Sequence, residues 1–218
     1  MTTDTPDDDT PTRHETTASE VLPPAAEAAP DAPVPGTVTG DPADEVVLLD
    51  DDGSPVGTAS RTTVHGSDTP LHLAFSCYLY DARGRVLLTR RALSKRTWPG
   101  VWTNSFCGHP RPGETVVEAV HRYAVRELGV PVQRVEPLLP DFRYRAVDAS
   151  GTVENEVCPV FTAVLDGEVE PDPAEVMELQ WVEPAALHTA AEAAPWALSP
   201  WMREQLEQVG RLPGAGSG

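Results

Sequence analysis

The stretch Thr103-Asn104-Ser105-Phe106-Cys107-Gly108-His109-Pro110 puts a thiol and an imidazole two residues apart. The glycine between them lets other groups approach the backbone closely. Read with Glu154-Asn155-Glu156 further along the chain, it supplies a thiol, an imidazole and two carboxylates, enough for a metal site and a proton-transfer site together. The segments on either side set the frame. Upstream, His72 to Tyr80 alternates, with Leu73, Phe75, Cys77 and Leu79 on one face and His72, Ala74, Ser76 and Tyr78 on the other, the pattern of a half-buried strand that turns His72 away from the main apolar face. Downstream, Val116, Val120, Ala124 and Leu128 recur every four residues and Gly129 follows, so a helix is predicted over Glu114 to Leu128 with a glycine stop.

Further out, Val46–Asp50 and Pro55–Ala59 flank Asp51-Asp52-Gly53, a hairpin turn. Asp81-Ala82-Arg83-Gly84 returns the chain into Arg85–Arg90. Arg134–Val147 and Thr152–Leu165 read as two strands about Asp148-Ala149-Ser150-Gly151, and period-two alternation puts Glu154, Glu156 and Cys158 on one side. Met177–Val182 reads as a short strand and Ala185–Ala193 as a helix; a last helix over Ser199–Val209 starts at Ser199-Pro200. Strands outnumber helices without regular β-α alternation, so the expected class is α+β, a mixed β-sheet sandwiched by helices in a single domain.

That domain is expected over residues 44–209. From Met1 to Glu45 there are eleven acids against Arg13, among many Pro, Ala and Thr, so residues 1–43 read as a disordered acidic tail and residues 210–218 as a flexible end. The net charge of -18 speaks against nucleic acid or an anionic membrane as partner. No apolar run approaches a membrane span, and no cationic leader opens the chain. Cys77, Cys107 and Cys158 lack C-x-x-C spacing, which suits a reducing cytoplasm. One lysine beside fifteen arginines hints at a GC-rich bacterial genome.

His65, His72, His109, Glu154 and Glu156 offer the nitrogen and oxygen donors that suit a borderline divalent ion such as Mn, Zn or Fe. Cys107 is the expected reactive thiol, with a cation nearby lowering its pKa toward neutrality; Cys77 reads as buried packing. Arg61, Arg90, Arg91, Lys95 and Arg96 gather positive charge in an acidic protein, as a diphosphate would require. Tyr144, Trp196 and Trp201 either line an apolar pocket or fill core.

Several strings in order, LHLAFS at Leu71–Ser76, TRRALSK at Thr89–Lys95, WPGVWTNSFCGHP at Trp98–Pro110, ELGV at Glu127–Val130, DFRYRA at Asp141–Ala146, ENEVCPVF at Glu154–Phe161 and PWALSPW at Pro195–Trp201, resemble the type 1 isopentenyl-diphosphate delta-isomerases of the Nudix superfamily. The superfamily's own motif survives as Gly108, Glu114, Arg122, Glu127 and Gly129, with Tyr123 and Arg126 where two acids would stand, which favours isomerase over the alternative, a Nudix-type diphosphate hydrolase. The resemblance implies a Nudix-like fold and conversion of isopentenyl to dimethylallyl diphosphate. It implies a Mn2+ or Zn2+ site at His65, His72, His109, Glu154 and Glu156, and Mg2+ held through the substrate diphosphate by Glu127. Cys107 and Glu156 would be the proton-transfer pair, with Tyr144 supporting the glutamate; Arg61, Arg91 and Lys95 would hold the diphosphate and Trp196 would face the carbocation. Tyr123 stands where some members carry another Arg, so the diphosphate grip would differ here. The small-molecule diphosphate is the only partner expected, for a cytoplasmic monomer or weak dimer.

Overall fold

The computed structural model describes residues 45–214; the acidic segment expected as a tail, residues 1–43, lies outside them. The elements in chain order are β1 (Glu45–Leu49), β2 (Pro55–Ser60), β3 (His72–Leu73), β4 (Phe75–Tyr80), β5 (Val86–Arg91), β6 (Trp102–Thr103), β7 (Phe106–Gly108), α1 (Val116–Leu128), β8 (Val132–Leu139), β9 (Arg143–Val147), β10 (Val153–Val157), β11 (Val160–Leu165), β12 (Val176–Val182), α2 (Pro184–Ala193) and α3 (Pro200–Val209). They form two sheets. One has five strands in the order β2-β1-β3-β10-β9; the other has seven, β12-β5-β4-β11-β8 with β6 beside β5 and β7 beside β4.

Two tracks of chain cross from the first sheet to the second side by side. β3 continues into β4 past Ala74, and β10 continues into β11 past Cys158-Pro159; β3 pairs with β10 in parallel and β4 with β11 likewise. Each long strand expected from sequence is therefore two. Pro159 has no N–H to give a ladder, and its carbonyl instead accepts from the Ser76 N–H at 3.1 Å, so the change of sheet falls where pairing is already broken.

The larger sheet is covered on both faces. Phe75, Cys77 and Leu79 of β4 pack in one core with Val116, Val120, Ala124 and Leu128 of α1. Tyr78 and Tyr80 pack in a second core with Leu187 of α2 and Trp201, Met202 and Leu206 of α3. The half-buried reading of His72–Tyr80 is thus corrected: all of β3 and β4 is buried, because α2 and α3 roof the face that alternation alone would leave to solvent.

α1 stops at Gly129 as its sequence predicts, but starts at Val116, two residues past the expected Glu114. Thr115 and Glu118 form a reciprocal capping box, and Gly129 closes the helix in the left-handed region at φ 67. Ser199 caps α3 and Pro200 opens it. Beyond α3, Leu212 is buried and its N–H donates to His188 Nε2 at 3.1 Å, so the stretch expected to be flexible from residue 210 is packed as far as Leu212.

Candidate active site

Strand register brings the chemistry together. Glu156 of β10 lies opposite His72 on one side and Tyr144 of β9 on the other; Cys107 of β7 lies opposite Ser76 of β4. Because β3 and β4 are one run of chain, the metal-type ligands and the thiol come to one place, at the junction of the two sheets.

Glu156 Oε1 is 3.2 Å from His109 Nε2, 3.4 Å from His72 Nε2 and 3.8 Å from His65 Nε2. One ligand atom from each of the four residues lies within 4.8 Å of all the others. His72 Nδ1 is 2.9 Å from the Pro70 carbonyl, which fixes a proton there, so that in the neutral ring Nε2 faces the group as a lone pair; against its burial, Glu156 and the Pro70 carbonyl raise the His72 pKa. The Nε2 atoms of His65 and His72 are buried with no hydrogen-bond partner. Buried nitrogens are rarely left so, and a divalent cation satisfies both, so the donor set fits a divalent metal. Burial, against the pull of Glu156, lowers the His109 imidazole to about 4, leaving it neutral as a ligand must be. Burial alone would raise Glu156, but the His109 contact at 3.2 Å and the neighbouring His65 and His72 imidazoles hold it well below the usual carboxylate range.

Glu154 stands beside this group, not in it. Its Oε1 accepts from Thr97 Oγ1 at 2.6 Å, and its Oε2 lies 2.5 Å from the Tyr144 hydroxyl. The same hydroxyl is 2.9 Å from Glu156 Oε2, so one phenolic proton bridges the two carboxylates. That proton is firmly held, since burial and the charges of Glu154 and Glu156 push the Tyr144 pKa well up.

The Cys107 thiol lies 3.3 Å from Ser76 Oγ and donates to Asn104 Oδ1, also at 3.3 Å. Burial pushes it up to about 12, although Ser76, Asn104 and Arg91 all pull the other way. The sequence expectation of a thiol drawn toward neutrality is therefore overturned. Arg91 is near, but two of its nitrogens are engaged by the Thr97 carbonyl at 3.0 and 2.8 Å, and desolvation wins. Cys107 rests as a protonated thiol.

Trp196, expected against the hydrocarbon, lies on a turn at Pro195–Ala197 and is 80 % exposed. Trp201 takes the inner position at 2 % exposure. Its indole N–H reaches Thr103 Oγ1 at 2.9 Å and Asn104 Oδ1 at 3.0 Å, and its ring lies 5.7 Å from Tyr144 and 5.4 Å from Trp98. The signal for the inward tryptophan is present in the spacing: Trp201, Met202, Gln205 and Leu206 form the buried stripe of α3.

A cavity of about 420 Å³ joins these groups. Cys107, Glu156, Tyr144 and Trp201 line it together with the cations Arg61, Arg91, Lys95, Arg96 and Arg126. Arg90 is on the other side of β5, bonded to Glu178 and the Gly100 carbonyl, each at 2.8 Å, and does not line the cavity. Glu127 does line it, outside the four-residue group. Burial, helped by Glu175 and opposed by Lys95, Arg91 and Arg126, raises its carboxyl to about 7. Arg122 bonds Glu114 through Nε at 2.6 Å and through Nη2, and also reaches the His109 carbonyl at 3.1 Å, tying α1 to the loop that carries His109. Ser76, Asn104 and Thr97 are polar residues that position others and to which the sequence reading assigns no role; Ser76 and Asn104 lie inside strings singled out above, and Thr97 immediately precedes one.

Residues 70–207 match the NUDIX domain family. Proteins called isopentenyl-diphosphate Delta-isomerase are similar over most of the chain: one from Clavibacter sepedonicus at 63% identity over 74% of this chain and 85% of that protein, one from Frankia alni at 60% over 81% and 91%, and one from Agromyces mediolanus at 54% over 89% and 91%. The chain belongs to the isopentenyl-diphosphate Delta-isomerase family, within the NUDIX fold. The fold itself extends to a Deinococcus radiodurans protein of known structure, at TM-score 0.59 and 21% identity over 76% of this chain and 98% of that one. Within an isomerase family the loss of two acids on α1 has a structural counterpart: Tyr123 is buried against Phe75 at 5.5 Å, and Arg126 offers a cation at the cavity, so the helix presents Glu127 as its one carboxylate there.

Proposed function

We propose that the protein converts isopentenyl diphosphate to dimethylallyl diphosphate by adding a proton to the alkene and removing another from the resulting tertiary carbocation. The observation that carries this is the joint presence of Cys107 and Glu156, from different sheets, in one cavity that has aromatic walls and a cationic lining. One group of the pair delivers a proton and the other takes one, each positioned acid or base contributing about 10²- to 10⁴-fold. Cys107 arrives with its proton held, and Tyr144 keeps a proton at Glu156 Oε2. The indole of Trp201, fixed by Thr103 and Asn104, faces the hydrocarbon with Tyr144; a desolvated aromatic face is worth about 2 kcal/mol or more to a cation. Arg61, Arg91 and Lys95 take the diphosphate.

His65, His72, His109 and Glu156 would hold a Mn2+ or Zn2+ ion with Glu154 as their support, and Glu127 would hold Mg2+ with the substrate. Such ions supply fixed positive charge that sets the acidity of Glu156 and offsets the diphosphate. Three free thiols fit a cytoplasmic setting, with a small-molecule diphosphate as partner. Hydrolysis is disfavoured because α1 places Tyr123 and Arg126 where a second and third metal-binding acid would be needed. Proton NMR of isopentenyl diphosphate in D2O with Mg and Mn tests the reading: dimethylallyl product and deuterium uptake are expected, and their absence in protein of native stability overturns it.

A further inference from the structure

α1 carries two arginines one turn apart, and they are used differently. Arg122 is spent on structure, in a two-point bond to Glu114 and a contact with the His109 carbonyl. Arg126 lines the cavity, and 38 % of its side chain is exposed. Its guanidinium lies 5.6 Å from the centre of the Tyr123 ring, a buried aromatic that aims the stem. Its polar partner is Glu175: Arg126 Nη2 lies 3.3 Å from Glu175 Oε1, while Lys95 Nζ pairs with Glu175 Oε2. Two cations from different elements thus converge on the two oxygens of one carboxylate at the cavity.

A carboxylate carries one charge over two oxygens. A phosphoryl group carries more charge over three, and an arginine fork binds it in the same plane-to-oxygens manner. The site that Glu175 fills is therefore a rehearsal of the one a phosphate would take. The Arg126 bond is long and single, so it yields readily to a better anion. We propose that Arg126 is a substrate-binding residue that grips the terminal phosphate of the diphosphate, and that Glu175 is a positioning residue that holds Arg126 and Lys95 at the cavity until the substrate takes them over. This rests on the reading of the cavity as a diphosphate site, and it adds a cation from α1 to Arg61, Arg91 and Lys95.

The test uses the full chain loaded with Mg, with inorganic diphosphate as a probe that needs no isomerisation. Arg126→Met keeps the stem on Tyr123 and removes the charge. Loss of a charge-assisted hydrogen bond at a partly exposed site weakens diphosphate binding by about tenfold in calorimetry. KM for isopentenyl diphosphate rises by a similar factor, more than kcat falls, and added salt weakens binding less steeply than in the unmodified protein. Arg126→Lys recovers part of the loss. Glu175→Gln, which frees both cations, binds diphosphate at least as tightly as the unmodified protein, and combining it with Arg126→Met removes that gain. The proposal is overturned if Arg126→Met leaves diphosphate affinity and KM unchanged while Arg91→Met weakens them. It is equally overturned if kcat and Tm fall with affinity intact, as a merely structural role would require. Arg126-dependent diphosphate binding without isomerisation would sink the isomerase reading and leave this one standing.

Discussion

Gly108 separates the thiol from a metal-type ligand and is the tightest point of the site. A methyl group added there would sit 2.5 Å from Cε1 and Cζ of Tyr123 and 2.6 Å from Cδ1. Carbon atoms in contact prefer about 3.5–4.0 Å, so the ring or the strand must give by about 1 Å. Tyr123 is buried edge-on against Phe75, and Gly108 is paired with Phe75 in the sheet, so the two walls of the clash are tied to the same residue. Overpacking of this kind costs about 1–3 kcal/mol, and for a domain of this size each kcal/mol moves Tm by about 2–4 °C. Gly108→Ala is expected to lower Tm by about 2–12 °C in a thermal melt. Because Cys107 and His109 flank the strained position, a displacement of about 1 Å should lower kcat/KM by about 10²-fold. Tyr123→Leu makes room, so the double variant should recover part of both losses, a coupling of about 0.5–3 kcal/mol. Unchanged Tm and rate in Gly108→Ala, or strictly additive losses in the double variant, would refute the steric argument.

Removing divalent metal with a chelator should lower Tm and activity together, and Mn or Zn should restore both; ligand at about 100-fold above Kd stabilises by about 2.7 kcal/mol. A Tm indifferent to metal would contradict the reading of the orphaned His65 and His72 nitrogens. Glu127, raised from 4.5 to about 7, favours the folded state most below the unfolded value, and that contribution is lost as pH rises through about 7. In chelator, Glu127→Gln should therefore melt above the unmodified protein at pH 8, by an amount on the order of 3 kcal/mol, with the gap closing toward pH 5; equal melting points at pH 8 would argue against a strained buried charge. Cys107, pushed up to about 12, should alkylate with iodoacetamide at pH 8 at least about a hundredfold more slowly than a free thiol, read by mass spectrometry against Cys107→Ser. Labelling at the free-thiol rate would overturn the burial argument.

Much of the fold was legible because local signals agreed with tertiary placement. The spacing of Val116, Val120, Ala124 and Leu128 with Gly129 behind them predicts α1, and burial follows it. The alternation that sets Glu154 and Glu156 on one side survives as the shared bond to Tyr144. The division of the long strands between two sheets was not legible. Period-two alternation runs through Cys158-Pro159 without marking a change of partner, and register with β3 and β4 is a long-range fact. The Cys107 thiol was misread for a related reason. A nearby cation can be inferred from sequence, whereas the desolvation that outweighs it comes from residues far along the chain, among them Trp201. Trp196 and Trp201 differ for another reason: both follow a proline, and only the helical stripe of α3 distinguishes the inward one.

Glu156 links the metal-type group to the proposed proton-transfer pair. Its Oε1 gathers the three histidine nitrogens and its Oε2 faces Tyr144, so one carboxylate divides its oxygens between two tasks. A ligand set from sequence spacing would treat Glu154 and Glu156 as equivalent, because they lie two apart on one strand. Register breaks the equivalence: Glu156 is opposite both His72 and Tyr144, whereas Glu154 is opposite Ala146 and shares the Tyr144 hydroxyl while its other oxygen goes to Thr97. Withdrawing charge from Oε1 necessarily changes the proton affinity of Oε2, since the two share one delocalised anion. The same strand register that gathers the histidines thus tunes the proposed acid–base group, because the parallel pairing of β10 with β3 sets Glu156 beside the chain that runs on into β4, where Ser76 faces Cys107.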